Sequence, residues 1–310
     1  MIIRASAPGN LMLMGEHAVL RGELAIACAV DQRINVTLET LDEPVLVIES
    51  ALGNYQDRLD SLKDDKRLRF VLQAVRSKVA EISGGVKLTI EAEFSHQVGL
   101  GSSAAVSVAT VAALQQLVQA KIDRRQVFDE ARAVMLKVQG RGSGTDLAAS
   151  TYGALIAYRA DPLDITPLQC VPDIALFYSG YKTPTPEVLS LVADESQRFP
   201  ELYEQLYRLM GKASEQALKA AQQRDWTQLG QLMNYYQGLM DALGVSDRKL
   251  AEMVYGLRDQ GVYGAKISGS GLGDCVISLG RPLTSVGFDE IPIQVAPEGV
   301  KVSLVTDSCA

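Results

Sequence analysis

Residues 97–106, QVGLGSSAAV, join a glycine-rich segment to the start of an alanine- and valine-rich one. Gly99 and Gly101 allow a tight turn and a close approach of the backbone to a ligand. Ser102 and Ser103 are residue types that commonly cap helices. Because the first N–H groups of a helix lack intrahelical partners and carry partial positive charge, this pattern predicts a site for an anion such as phosphate. The alternative is an ordinary capped helix after a glycine turn.

Three further segments place polar side chains among small or apolar residues. Residues 7–31 contain Glu16, which must have a structural partner or face a polar site, because a lone buried carboxylate is costly. Residues 138–150 contain Asp146 among small residues that leave room for a substrate. Residues 264–278, GAKISGSGLGDCVIS, contain a glycine loop that fits either a ligand contact or a plain hairpin.

The elements that position these residues follow from the hydrophobic periodicity. Alternating apolar and polar residues predict strands at 33–41 and 86–94, and apolar residues at helical spacing predict helices at 66–82 and 104–118. The helix at 104–118 is apolar on nearly all sides, so we expect it to be buried and to hold the glycine loop before it rigidly.

The second half of the chain has a different pattern. Three prolines within residues 160–173 predict a crossover between two halves. Strand-like segments, VYGAKI, CVISLG and KVSLV, close the chain. Before them, apolar stripes predict three helices, at 201–223, 225–243 and 246–260. We therefore expect an α+β fold of two domains, 1–165 and 166–310, the first an α/β half with the glycine loop and the second built from helices on an antiparallel sheet.

The composition excludes several classes of protein. The net charge of −7 argues against general binding of nucleic acid or anionic membranes. The amino terminus lacks a secretory signal and no apolar run is long enough to span a bilayer, which favours the cytoplasm. Two histidines are too few for a multi-histidine metal site, and no GxSxG motif supports a serine hydrolase. Four scattered cysteines are expected to be free thiols: Cys28, Cys170, Cys275 and Cys309.

Four motifs in one order, APGN…GEHAV, GLGSSAA, GSGTD and KISGSGLGDC, resemble the GHMP kinase superfamily over nearly the whole chain. The resemblance implies a kinase that uses ATP and Mg²⁺, with Asp146 acting on the acceptor hydroxyl and Ser103 helping to place the metal. It also implies two loops that bind the nucleotide, made of Val98, Gly99, Leu100, Gly101, Ser102 and Ser103, and of Gly269, Ser270 and Gly271.

Within the superfamily, the segment GEHAVLRGELAIACAVD is most similar to the mevalonate kinase branch. That similarity implies transfer of the ATP γ-phosphoryl group to the 5-hydroxyl of mevalonate, with Glu16 and His17 on the acceptor side. For His17, a purely structural histidine is the alternative. GSGTDLAASTYG and GDC instead resemble phosphomevalonate kinases, which leaves that activity as the alternative. The expected partners are ATP and a small polar alcohol, without nucleic acid or membrane, and a homodimer is compatible with the sequence.

The chain departs from the superfamily pattern at several positions. Asn10 stands where the resemblance leads us to expect a lysine that stabilises the acceptor oxygen, and Met135 stands where a metal-binding carboxylate is expected. Ser95 and Gln97 replace the usual proline and a glycine of the loop. We expect Asn10 to donate a hydrogen bond in catalysis and consider Lys182 as the missing cation, with a solvated surface lysine as the alternative. A sensor that binds ligands without turnover is a second hypothesis.

Overall fold

The structure, a computed structural model, describes residues 1–95, 98–284 and 287–305, so His96, Gln97 and Cys309 lie outside the described residues. Within these ranges it contains twelve strands and eight α-helices. The strands are β1 (Ile2–Met14), β2 (Ala25–Leu41), β3 (Val45–Ser50), β4 (Gly53–Arg58), β5 (Gly85–Ala92), β6 (Leu155–Ala160), β7 (Leu163–Leu168), β8 (Ile174–Lys182), β9 (Gly264–Ser268), β10 (Gly273–Leu279), β11 (Asp289–Ile291) and β12 (Lys301–Val305). The helices are α1 (Arg69–Arg76), α2 (Ser102–Gln119), α3 (Arg124–Gln139), α4 (Thr145–Tyr152), α5 (Thr185–Arg198), α6 (Pro200–Gln223), α7 (Trp226–Ala242) and α8 (Arg248–Asp259).

Two sheets organise these elements into the predicted α+β architecture. The larger sheet has the order β12-β1-β2-β5-β3-β4, with β6 paired to β2 and β7 to β6. The smaller sheet, β11-β8-β10-β9, is antiparallel throughout, as the sequence predicts for the second half. The predicted division at 165/166 falls inside β7, and β12 returns to the larger sheet beside β1. That division stays a prediction.

The first motif lies on an irregular part of β1. The pairing of β1 with β2 shifts register between Pro8 and Gly9 and again between Met12 and Met14. Such irregularities bend a strand and redirect its side chains. Between the two shifts, Asn10 N donates a hydrogen bond to Leu100 O over 3.0 Å, so β1 contacts the glycine loop directly.

Two predicted elements differ from the structure. The predicted helix at 66–82 is wrong in length, because the structure has the shorter helix α1, Arg69–Arg76. After α1 the Ser77 hydroxyl donates a hydrogen bond to Ala74 O, and a short 3-10 helix follows at Val79–Glu81. The predicted crossover at 160–173 contains a strand, β7, which is paired only with β6 among the described strands. An edge strand tolerates Pro167, which has no N–H to donate.

Two apolar cores support the sheets, one beneath the larger sheet and helices α1 to α4, the other between the smaller sheet and α6 to α8. The predicted helix at 104–118 is confirmed as α2, and eleven of its eighteen residues are buried. None of the helices in the described ranges is both long and apolar enough to cross a membrane. Helix α2 is therefore a rigid support for the loop before it.

Candidate active site

The predicted anion site lies at the start of α2. Gly101 precedes the helix with φ of 64°, a left-handed conformation that favours glycine. Among the described residues, no acceptor is recorded for the N–H groups of Gly101, Ser102 or Ser103. Three free amides at the positive end of a buried eighteen-residue helix form a site for phosphate oxygens. The hydroxyls of Ser102 and Ser103 are partly exposed beside them.

Asn10 lies directly beneath this loop. A Cβ at Gly101 would be 2.2 Å from Asn10 Nδ2, so only glycine fits there. Asn10 is 2% exposed, and its Nδ2 donates to Ser150 Oγ over 3.0 Å. The asparagine therefore joins the loop to α4, and its predicted role at the acceptor oxygen stays a prediction.

Asp146 lies on α4, one turn before Ser150 and on the same face. Its side chain is open to solvent and makes no hydrogen bond to another described residue, so it does not cap the helix. Surrounding protein nevertheless desolvates the carboxyl group and raises its pKa above the usual value. A carboxylate that is exposed on the first turn of α4 can accept a proton from a bound hydroxyl.

The turn before Asp146 is fixed by its neighbours. Tyr158 donates a hydrogen bond to Ser143 O, and the Ser143 and Thr145 hydroxyls are 3.0 Å apart. Gly144 has φ of 92°, and a Cβ there would be 2.8 Å from the Tyr158 hydroxyl oxygen. The position of Asp146 is therefore set by packing and not by a flexible loop.

The second glycine loop, residues 268–273, approaches the first from the smaller sheet. Asp274, just after it, accepts a hydrogen bond from Gly99 N at 2.9 Å through Oδ1. The other carboxylate oxygen, Oδ2, is 2.7 Å from Lys182 Nζ at the end of β8. The loop containing Gly269, Ser270 and Gly271 is thus joined to the anion site by a single carboxylate.

Glu16 and His17 contact the other side of the second loop. Glu16 is 3% exposed and pairs with Lys266, while its Oε2 has no hydrogen-bond partner among the described residues. His17 is also buried, and its Nε2 donates to Ser270 O over 2.8 Å. Burial lowers the pKa of His17 and also that of Lys266. Their predicted contact with substrate stays a prediction.

The residues present give limited support for a magnesium ion. Met135 is 8% exposed in the core and offers no oxygen, and the described residues contain no group of three or more acidic, histidine or cysteine side chains around one point. The oxygen donors considered for the metal are the Ser103 hydroxyl and the Asp146 carboxylate, because the Asp274 carboxylate is already paired with Lys182 and Gly99 N. This set suits Mg²⁺ that is held mainly by the phosphates of a nucleotide, since this ion commonly takes one or two protein ligands.

The structure connects the predicted site residues through named contacts: Asn10 lies against Gly101 and bonds to Ser150, one turn from Asp146, and the residue after the second glycine loop, Asp274, bonds to Gly99. The roles predicted for these residues stay predictions. The structure also shows three partners that the sequence did not indicate. Ser150 bonds to Asn10, Lys266 pairs with Glu16, and the Asp274 carboxylate bonds to Gly99 N and pairs with Lys182. The predicted free thiols are confirmed for Cys28, Cys170 and Cys275.

Comparisons with known proteins agree with this geometry. The sequence matches the family models described as GHMP kinases N terminal domain, over residues 67–154, and GHMP kinases C terminal, over residues 217–287. The chain belongs to the GHMP kinase family. A curated relative, the mevalonate kinase of Pyrococcus abyssi, is 34% identical over an alignment of 297 residues, with 90% of this chain and 88% of that protein covered.

Solved structures share the same fold. The Lin0012 protein from Listeria innocua superposes with a TM-score of 0.87 at 24% identity, covering 98% of this chain and 99% of that one. The L. major mevalonate kinase in complex with R-mevalonate gives a TM-score of 0.77 at 25% identity and covers 95% and 96% of the two chains. The two-sheet architecture is therefore that of a GHMP kinase.

Proposed function

We propose that this protein transfers the γ-phosphoryl group of ATP to the 5-hydroxyl of mevalonate, a step in the synthesis of isoprenoid precursors. One observation carries the proposal: Asn10 joins the free amides at the start of α2 to Ser150, which lies one helical turn from the exposed carboxylate of Asp146. Phosphoryl transfer requires such an arrangement, because it depends on positioning and charge neutralisation more than on covalent catalysis.

The reaction uses these groups in sequence. The amides of Gly101, Ser102 and Ser103 hold phosphate oxygens of ATP. The acceptor oxygen forms a bond to the γ-phosphorus while the bond from that phosphorus to the β,γ-bridging oxygen breaks, and ADP leaves with the electron pair. Asp146 takes the proton of the acceptor hydroxyl. Its raised pKa favours that transfer, because a more basic carboxylate is the better proton acceptor.

Mg²⁺, when bound with ATP, would neutralise charge on the phosphate oxygens. In this chain Ser103 would contribute a hydroxyl ligand. Ser103 is held in the first turn of α2, and its carbonyl accepts a hydrogen bond from the Ser107 hydroxyl at 2.7 Å. The serine is therefore fixed next to the amides that bind phosphate.

Two alternatives are less well supported. The motifs GSGTD and GDC favour phosphomevalonate as the acceptor, but the curated relative reported above is a mevalonate kinase and covers most of the chain. The sensor hypothesis requires a site without catalytic groups, whereas this chain keeps an exposed carboxylate, Asp146, on the first turn of α4. A homodimer stays a prediction.

A panel of acceptors tests the proposed function. The purified protein is incubated with Mg-ATP and mevalonate, phosphomevalonate, homoserine or galactose, and ADP release is measured. We expect turnover with mevalonate above all others. Turnover with phosphomevalonate alone would transfer the proposal to that alternative, and ATP binding without turnover on any acceptor would support the sensor.

The role of Asp146 is tested by the Asp146→Asn variant. Because a general base contributes about 10²- to 10⁴-fold in rate, we expect a loss of kcat in that range with nearly unchanged ATP affinity in calorimetry. A variant that kept more than about a tenth of the wild-type kcat would refute the role, since that loss falls below the range of a general base.

A further inference from the structure

Lys182 and Asp274 form an ion pair at the edge of the phosphate site. The distance between Lys182 Nζ and Asp274 Oδ2 is 2.7 Å, and the same carboxylate accepts the Gly99 amide. The Lys182 side chain is 36% exposed and that of Asp274 18%. One carboxylate therefore fixes an accessible ammonium group against the loop that binds phosphate.

The neighbours of Lys182 hold it in this position. Tyr181 donates a hydrogen bond to Asp247, the residue that caps α8, and the Thr183 hydroxyl donates to Leu272 O over 2.6 Å. The backbone on both sides of Lys182 is thus attached to other elements. The ammonium group is therefore supplied by a fixed strand end and not by a mobile surface segment.

Asp274 has a left-handed backbone conformation. Its φ is 66°, a region that aspartate adopts more readily than most residues with a side chain. Gly99 is matched to it, because a Cβ at Gly99 would be 2.2 Å from Asp274 Oδ2. The contact between the two loops is therefore close and specific.

Neither Asn10 nor Lys266 supplies an accessible cation to the site. Asn10 carries no charge, and its amide donates to Ser150. Lys266, on β9 before the second loop, is fully buried against Glu16. Negative charge on the phosphates of ATP, and on the bridging oxygen as ADP leaves, requires a fixed positive group in addition to backbone amides.

We propose that Lys182 contacts the phosphates of ATP and stabilises the charge that develops during transfer, and that Asp274 positions it. This inference rests on the proposed function for the transfer step. A lysine ammonium has three donors, so Lys182 retains its bond to Asp274 while it donates to a phosphate oxygen. Lys182 offsets the repulsion that the Asp274 carboxylate alone would exert on the phosphates.

The first test compares Lys182→Met with the control Lys249→Met. Lys249 is an exposed lysine on α8, and its Nζ lies 5.8 Å from the centre of the Tyr181 ring. Removing one preorganised donor lowers kcat on the order of 10²-fold, so we expect that loss in Lys182→Met, together with weaker ATP binding in calorimetry. Lys249→Met should match the wild type. Lys182→Arg should recover part of the loss, because it restores the charge.

AMP binding separates phosphate contact from a general change in the site. Lys182→Met should bind AMP as the wild type does, since the fixed ammonium acts on the outer phosphates. Wild-type kcat and ATP affinity in Lys182→Met would overturn the proposal. An equal loss of AMP and ATP affinity would also overturn it, since it would indicate a damaged fold.

The positioning role of Asp274 is tested by Asp274→Asn alone and with Lys182→Met. The asparagine keeps an oxygen for the Gly99 amide but loses its charge. We expect a smaller fall in kcat than in Lys182→Met, and the double variant should lie within about twofold of Lys182→Met, because groups that act together are not additive. A further loss in the double variant would overturn positioning through Lys182.

The two proposals fail in distinguishable ways. If the wild type binds ATP but does not phosphorylate mevalonate, the acceptor assignment fails, while the comparison of ATP and AMP affinity still decides whether Lys182 contacts phosphates. If mevalonate is phosphorylated normally by Lys182→Met, the proposed function holds and the Lys182 inference fails.

Discussion

Two lysine–carboxylate pairs hold the second glycine loop, and they differ in their exposure to water. The Lys266–Glu16 pair precedes the loop with side chains 0% and 2% exposed, whereas the Lys182–Asp274 pair follows it with side chains 36% and 18% exposed. A buried pair cannot exchange its partner for a ligand without a large cost, while a partly exposed pair can. The comparison assigns the buried pair to the fold and the accessible pair to the reaction.

The contacts around each pair agree with this division. Lys266 also lies 5.4 Å from the centre of the Tyr236 ring, and the Tyr236 hydroxyl donates to Glu16 O over 2.8 Å. These contacts fix β1 to α7 and the smaller sheet. The accessible pair instead contacts Gly99, in the loop before α2.

Removing each lysine gives the largest expected difference. Lys266→Met leaves the Glu16 carboxylate buried without its partner, which destabilises a protein by about 3–5 kcal/mol. Lys182→Met removes a partly exposed pair, and such pairs contribute about 1 kcal/mol or less. Urea unfolding of both variants measures the two free energies of unfolding. Equal losses of stability would remove the distinction between the pairs.

A methyl group at residue 99 perturbs the Lys182–Asp274 pair and leaves the Lys266–Glu16 pair in place. Gly99→Ala forces the Asp274 carboxylate away from the loop, because the new Cβ would be 2.2 Å from Oδ2. We expect about a tenfold fall in kcat, part of what the loss of one donor costs, with a stability change below about 1 kcal/mol.

The matched control is Gly238→Ala in α7, where a Cβ would meet no atom within 4 Å. Alanine in place of glycine inside a helix stabilises it by about 1 kcal/mol, so this control should be fully active and slightly more stable. Wild-type kcat in Gly99→Ala would show that the Asp274 contact is not needed.

The smallest expected effect is a pH dependence of stability caused by His17, which lies beside the buried Lys266–Glu16 pair. Burial lowers the pKa of His17 below its usual value of about 6.5, with Glu16 and Lys266 as the charged groups beside it. Between the folded pKa and about pH 6.5, the unfolded chain therefore binds a proton that the folded chain does not. The contribution of His17 to stability is complete above about pH 6.5 and is lost as the pH falls through the folded pKa.

Urea unfolding at pH 7.5 and 5.5 measures this effect in the wild type and in His17→Gln. We expect a smaller fall in the free energy of unfolding for His17→Gln on acidification. The control His96→Gln shows how much of the change in the free energy of unfolding between the two pH values comes from the second histidine of the sequence. An identical slope in the wild type and His17→Gln would contradict a lowered pKa of His17.

The sequence predicted elements well where a local pattern specified them. Helix α2 was predicted at 104–118 and spans Ser102–Gln119, because its apolar composition and its glycine-serine start are both local signals. Strand β7 was missed, since three prolines within residues 160–173 suggested a linker, and only its pairing with β6 makes it a strand. The low strand propensity of this proline-containing segment was overridden by its pairing with β6.

The sequence indicated which residue types form the candidate site, but it did not indicate which of those residues contact one another. Asp146 and both glycine loops are motifs that can be recognised locally. The pairing of Glu16 with Lys266 joins residues 250 positions apart, and no periodicity predicts which lysine reaches which carboxylate across two sheets. Lys182 was one named candidate for a missing cation, and only the fold places it at the phosphate loop.

A crystal structure with Mg²⁺ and a non-hydrolysable ATP analogue tests the division between the two pairs most directly. The account predicts Lys182 Nζ at about 3 Å from a phosphate oxygen, with Lys266 still paired to Glu16. Phosphates that are bound at the start of α2 while Lys182 makes no contact with them would contradict it.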